Sequence, residues 1–173
     1  MLEQIARLTE QIKRMETDIA QIARETYPET ARLTQVKGVG PLTALTFVLT
    51  LEDPERFAHS RDAGCYLGLR PNRRESGDRK PQLGISKEGD RYLRTLLVQS
   101  AHCILGRHGE DSDLRRWGLE LAARGGKNAK KRAVTAVARK LAVLLHRLWV
   151  SGEVYEPLRN SNALAKAAQK SAA

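Results

Sequence analysis

The stretch from Leu33 to Val48, LTQVKGVGPLTALTFV, constrains this chain more than any other. A short helix carrying Leu33 and Val36 is expected to end at Gly38. The turn Gly38-Val39-Gly40 then bends sharply, because only glycine adopts positive φ without steric cost. Pro41 suits the first turn of the following helix, where its missing N–H is no loss. Ala44 is small enough for close helix packing, and Leu42, Leu45 and Val48 supply an apolar face. This is the grammar of a helix-hairpin-helix. The open N–H groups and positive end of its second helix make a site for a phosphate oxygen. The same residues also describe an ordinary glycine hairpin between two helices, with no ligand.

Charge favours the first reading. The formal net charge is +10 and the isoelectric point near 10.0, which points to a polyanionic partner. A membrane surface is the competing partner, but no basic helix carries the aromatic or leucine-rich face expected of a membrane binder. No apolar run is long enough to span a bilayer, and no signal peptide is expected. Cys65 and Cys103 each fall in an apolar helical setting, so two buried thiols in a reduced, cytoplasmic protein are expected. His59, His102, His108 and His146 are scattered without metal-ligand spacing, so no metal site and no bound cofactor are expected in this chain.

From end to end the chain reads as all-α. Over residues 1–27, Ile5, Leu8, Ile12, Met15, Ile19 and Ile22 alternate steps of three and four, an a/d heptad seam. Polar residues such as Glu3, Arg7, Lys13, Arg14 and Glu16 fill the other faces. The seam calls for a partner helix, from a second copy or a neighbouring domain; packing on its own domain is the alternative. Pro28 closes the segment. Residues 33–158 then form a compact helical domain. Asp53 can cap a helix beginning at Pro54, with Phe57 as an anchor. Arg61 to Leu69 reads as a short helix with Ala63, Tyr66 and Leu67 inward and Gly68 as its terminator. Arg70 to Gly84 has neither helical nor strand period, a loop of about 15 residues, at the length where loops tend to be functional or disordered.

Asp90 can cap a long helix whose buried stripe comprises Tyr92, Leu93, Leu96, Leu97, Ala101 and Ile104, broken at Gly106 and Gly109. Leu114 to Ala123 is a short helix with Trp117 and Leu121 inward. Past Gly125-Gly126, a last long helix opens with Lys127, Lys130, Lys131 and Arg132 and buries Val134, Val137, Leu141, Leu144, Leu145 and Leu148. The tail from 159 to 173 is expected to be disordered.

Two sets of residues carry candidate chemistry. Ser76 sits in Glu75-Ser76-Gly77, within a loop that also carries Arg70, Arg73, Arg74, Arg79 and Lys80. A serine hydroxyl is a poor nucleophile unless a base or metal activates it, and no histidine lies in the loop. Arginines can orient a phosphodiester and stabilise its transition-state charge, so the loop suits attack on a DNA phosphate. Read alone, it is equally an ordinary polar loop, and Glu75 and Asp78 do not make a metal site. The second set is Lys37, Arg73, Arg74, Lys87, Arg91, Arg94, Lys127, Lys130 and Lys131, each able to neutralise phosphate and release counterions. Some of these will be plain solvated charge. Aromatic residues make up only 5%, which argues against a base-stacking single-strand platform.

Five blocks then occur in order: Val36 to Ala44, Asp53 to Phe57, Tyr66 to Pro71, Glu75 to Gly77 and Ile85 to Arg94. Together they resemble the C-terminal transposase domain of the IS110 (Piv/MooV-like, IS116/IS902-related) insertion-sequence transposases, over roughly Gln35 to Pro157. The resemblance implies a bacterial, nucleoid-associated DNA recombinase whose C-terminal domain contributes a serine nucleophile, at the position of Ser76 here. It implies pairing with an RuvC-like DEDD domain, whose acids hold Mg²⁺ and could explain the missing local base. It also implies DNA partners at transposon ends and target, a tetrameric assembly in some members, and an element-encoded guide (bridge) RNA. No DEDD domain is read in this chain, which begins at the coiled coil. The expectation is therefore binding without strand cleavage unless a partner supplies that half. Two further readings stand beside this one: a non-catalytic helix-hairpin-helix remnant or regulator, and a structural coiled-coil adaptor.

Overall fold

The computed structural model describes residues 1–72 and 84–171. Among these residues there are eight helices: α1 (Leu2–Glu25), α2 (Thr30–Leu33), α3 (Pro41–Leu51), α4 (Ser60–Tyr66), α5 (Arg91–Leu105), α6 (Asp113–Ala123), α7 (Ala129–Ser151) and α8 (Arg159–Ser171). A 3-10 turn spans Pro54–Arg56, and the fold is all-α.

The core is organised around α7, which packs against α4, α5 and α6. Ala133, Val134, Val137, Ala138, Leu141, Ala142 and Leu145 recur at helical spacing and are buried. Small residues on this face let neighbours approach closely. A Cβ at Gly118 of α6 would lie 2.5 Å from Val137 Cγ2, so only glycine fits that crossing. From α5 come Leu93, Leu97, Ala101 and Ile104, and from α3 Ala44, Phe47, Val48 and Leu51. Phe47 meets Trp149 of α7 edge-on, ring centroids 6.4 Å apart.

Capping follows the sequence. Asp90 Oδ1 accepts from the Leu93 N–H at 2.6 Å at the start of α5, Ser112 Oγ accepts from Arg115 N–H at the start of α6, and Asp53 Oδ1 accepts from Glu55 N–H. Each such cap contributes about 1 kcal/mol. Arg115 closes the other end of α5, its Nη1 donating to the carbonyls of Ile104 and Gly106.

Several expectations change. Leu42 and Tyr92 are exposed rather than buried, since α3 and α5 turn Thr43 and Leu93 inward beside them. In α6 the fully buried positions are Leu114 and Gly118, while Trp117 and Leu121 are half-buried. Cys103 is exposed and Cys65 half-buried, so neither thiol is sealed in the core. The tail expected to be disordered from 159 forms α8. Asp113 of α6 caps it, accepting from the N–H groups of Asn160 and Ser161 and from Ser161 Oγ, and its alanines favour helix.

The heptad helix α1 docks only at its C-terminal end, through Ala23 with Ile19 and Ala20 half-buried, against α3. Thr30 Oγ1 locks that junction by donating to the Ala23 and Tyr27 carbonyls. The rest of the seam stands open, with Ile5, Leu8, Ile12 and Met15 each more than half exposed.

Candidate nucleic-acid interface

Three features lie around α5 and α7. The first is the glycine hairpin. The regular helix before it is only Thr30–Leu33, and turn structure fills 34–38. Gly38 has φ +93°, and its Cβ position faces Ile104 and the Ser100 carbonyl at 3.1 and 3.2 Å, so glycine is required both by torsion and by packing on α5. Gly40 differs. It caps α3 in extended geometry, φ −91°, and nothing lies within 4 Å of its Cβ position. Glycine there leaves open space beside the first turn of α3, which has no side-chain cap. Lys37 Nζ, next to the turn, pairs with Glu110 Oε1 at 3.2 Å.

The second feature is the neck from which segment 73–83 departs. The Asn72 N–H donates to the Gly84 carbonyl, Ser86 N–H to Arg70 and Lys87 N–H to Gly68, with an antiparallel bridge between Pro71 and Ile85. The loop expected over 70–84 therefore has paired ends. Arg94 clamps the neck to α5: its Nη1 donates to the carbonyls of Leu67, Glu88 and, at 3.4 Å, Asp90. Lys87 adopts left-handed geometry, φ +61°. Ser76, Arg73 and Arg74 lie outside the described residues.

The third is a groove of about 1070 Å³ running along α7. One face of that helix, from Asn128 through Lys131, Thr135, Arg139 and Val143 to Arg147, lines it lengthwise. Leu69, Pro71, Gly84, Ile85 and Lys87 of the neck form another wall, and Trp117 and Leu121 of α6 a third. Arg132, Lys140 and Arg159 bring the lining cations to seven with Lys87, Lys131, Arg139 and Arg147. The acids in the lining are Asp113, Glu153 and Glu156. Lys140 Nζ stands 3.8 Å above the Trp117 ring, and burial pulls its pKa below the ordinary lysine value. Glu153 bridges Arg147 and Arg159; the hydrogen bond from Arg159 and that guanidinium's charge hold its carboxyl below the usual range.

The sequence-derived cations thus scatter. Lys87 and Lys131 line the groove, Lys37 flanks the hairpin, and Arg94 braces the neck. Arg91, Lys127 and Lys130 are exposed and outside the groove lining. Sequence reading missed Arg139, Lys140, Arg147 and Arg159, together with the placement of Trp117. A local signal was present only in part: Lys131, Thr135 and Arg139 step by four residues, as do Val143 and Arg147, which makes successive members of each set neighbours on the helix surface. Among the described residues no group of three His, Cys, Asp or Glu could hold a metal ion, and no helix is long and apolar enough to cross a membrane.

Comparison with known proteins adds the family. The model of the transposase IS116/IS110/IS902 family matches residues 30–116. The transposase for insertion sequence element IS1111A of Coxiella burnetii is 36% identical over 125 residues, 72% of this chain and 34% of that protein. A probable family 20 transposase of Pseudomonas aeruginosa is 30% identical over 164 residues, 91% of this chain and 48% of that protein. The transposase for insertion sequence element IS1328 of Yersinia enterocolitica is 33% identical over 150 residues, 86% of this chain and 43% of that protein. The matched region therefore spans between a third and a half of these relatives.

Proposed function

Given that the chain belongs to the IS116/IS110/IS902 transposase family, we propose that it is the DNA-handling domain of an insertion-sequence recombinase, with Ser76 as the nucleophile of strand transfer. The observation that carries this reading is the position of the neck. Pro71 and Gly84, which bracket the 73–83 segment at its neck, are themselves part of the wall of the cation-lined groove. A phosphodiester held by the groove would thus lie beside the neck, the two ends between which Ser76, Arg73 and Arg74 fall in sequence. In the reaction proposed, Ser76 Oγ forms a bond to phosphorus while a phosphorus–sugar oxygen bond breaks. The electron pair leaves with the sugar oxygen, which takes up a proton as the serine gives one up. Arg73 and Arg74 would stabilise the charge that builds on the phosphoryl oxygens.

The hairpin serves as a second anchor. Gly40 keeps the first turn of α3 uncovered, and Lys37 adds a cation beside it, so a duplex phosphate can approach the free N–H groups. A guide RNA is a further candidate for the cationic surfaces. The open seam of α1 would pair with the same helix of another copy, giving the oligomer that recombination of paired DNA ends requires. In this reading Mg²⁺ is held by a DEDD domain, in the same polypeptide or in a partner.

The test mixes the chain and a DEDD-domain partner with labelled transposon-end DNA, Mg²⁺ and guide RNA, and looks for a denaturant-resistant protein–DNA adduct. The adduct should form with wild type and vanish in Ser76→Ala, with DNA binding retained. Salt-sensitive binding with no adduct in either protein would reduce the chain to a non-catalytic binding module.

A further inference from the structure

The groove along α7 has a composition that duplex binding does not explain. A duplex presents phosphates outward and hides its base faces, so a protein surface that reads it needs cations and donors. Here half-buried Trp117, Leu121, Val143 and Leu144 lie within the lining, while Lys131 and Arg132 beside them are exposed. Setting charged phosphates against that apolar surface would cost desolvation without return. A single strand solves both problems at once, because its unpaired bases have apolar π-faces and its backbone has the charge.

The geometry along α7 agrees. Lys131, Arg139 and Arg147 rise at eight-residue intervals, about 12 Å apart along the helix axis, so cationic support runs the length of the groove instead of clustering at one point. Among the described residues neither Lys131 nor Arg139 forms an ion pair. The Trp117 ring already receives a cation on one face, from Lys140 at 3.8 Å. A base could take that face while the Lys140 ammonium turns to a neighbouring phosphate.

We propose that this groove holds one unpaired nucleic-acid strand, bases toward Trp117 and the apolar residues beside it and backbone toward Lys131, Arg139 and Lys140. The proposal rests on the nucleic-acid-handling reading above and adds strand state to it: the groove takes single strands, and the hairpin at Gly40 takes duplex. It also separates the low aromatic content of the chain from its stacking capacity, since one well-placed indole is enough to seat a base.

The test uses the full chain with a labelled oligothymidylate of about a dozen nucleotides, within the range of known single-strand sites, and its duplex with oligoadenylate. Binding is read by anisotropy and by tryptophan fluorescence. The strand should bind at least about tenfold more tightly than the duplex and quench emission. Trp117→Leu should abolish the quench and weaken strand binding about tenfold. Lys131→Glu, at an exposed position where folding is not at stake, should weaken the strand similarly and lower its salt slope by about 0.7. Gly40→Glu should weaken the duplex and leave the strand unchanged. Equal or tighter binding of duplex, or strand binding indifferent to both groove variants, overturns the single-strand site while leaving nucleic-acid handling intact. Binding of neither probe overturns the parent reading as well. Groove occupation by an acidic amphipathic peptide in place of oligothymidylate would also overturn the proposal.

Discussion

Gly68 and Gly89 lie against each other's chain segment at the neck, each surrendering its side-chain space to the backbone opposite. A Cβ at Gly68 would collide with the backbone of Glu88, and one at Gly89 with the Tyr66 carbonyl oxygen. Both also have positive φ, +68° and +77°. Gly68→Ala and Gly89→Ala should each destabilise the fold by about 1–3 kcal/mol, through overpacking added to torsional strain. Gly84→Ala, where nothing lies within 4 Å, is the matched control. Urea denaturation of the three variants checks this, and a silent Gly68→Ala would show that the neck is far looser than its geometry.

Arg94 sits among the phosphate-binding candidates by sequence, yet its Nη1 is given to carbonyls of the neck. Arg94→Ala should lower stability and speed hydrogen exchange at the Ser86 and Lys87 amides, because the neck carbonyls lose a shared charged donor. Its salt slope for DNA binding should match wild type, whereas Lys87→Ala should reduce the slope by about one. A slope change at Arg94 without a stability change would reassign it to phosphate.

Glu110 neutralises Lys37 beside the hairpin, but both side chains are well exposed and the pair is screened. Glu110→Gln should strengthen duplex binding up to about threefold at low salt, with the gain fading as salt rises. Titration at two ionic strengths reads this directly. Weaker binding in the variant would mean that Glu110 positions the hairpin instead of competing for its cation.

His146 is almost fully buried in α7, with Phe57 edge-on at 5.5 Å, and neither ring nitrogen makes a well-formed hydrogen bond. Burial depresses its pKa below the ordinary 6.5, against the weaker opposing pull of the Pro54 backbone and the Asp62 carboxylate. On acidification the unfolded chain therefore takes up this proton before the folded one does. Stability is full above about pH 6.5 and falls as pH drops below it toward the folded-state value. His146→Phe should flatten this part of the stability–pH curve. An unchanged slope between wild type and variant would place the acid sensitivity elsewhere.

The α1 seam offers a clean oligomerisation test. Ile12 is 56% exposed and contributes nothing to the monomer core. Ile12→Asp should leave the thermal unfolding of the helical domain unchanged and shift the protein to a smaller species in light scattering. A monomeric wild type at micromolar concentration would remove the proposed self-association.

Much of the helical plan was legible in the sequence because its signals are local. Asp90 caps where a side chain three residues from an open N–H can reach it, and Gly38 and Gly68 take the positive φ that few other residues tolerate. The five ordered blocks from Val36 to Arg94 were enough to indicate the family. What misled was inference about faces. A helical stripe says that one side is apolar, but Leu42 and Tyr92 sit at the stripe's edge, where only the neighbouring helix decides exposure. The tail failed for the same reason: Asp113, the residue that caps α8, is distant in sequence from Asn160 and Ser161.

By itself, then, the sequence determined the all-α class, the positive-φ turn at Gly38, the excess of positive charge and the transposase family, since torsional preference, periodicity and motif order are properties of neighbouring residues. The tertiary structure alone decided which cations share a surface. It turned Arg94 inward as a brace, paired Lys37 with Glu110, and lined one groove beside the neck with Lys87, Lys131, Arg139 and Lys140, the last of them over the Trp117 ring. Such convergence depends on how α5, α6 and α7 pack, and packing brings together side chains that no local pattern relates.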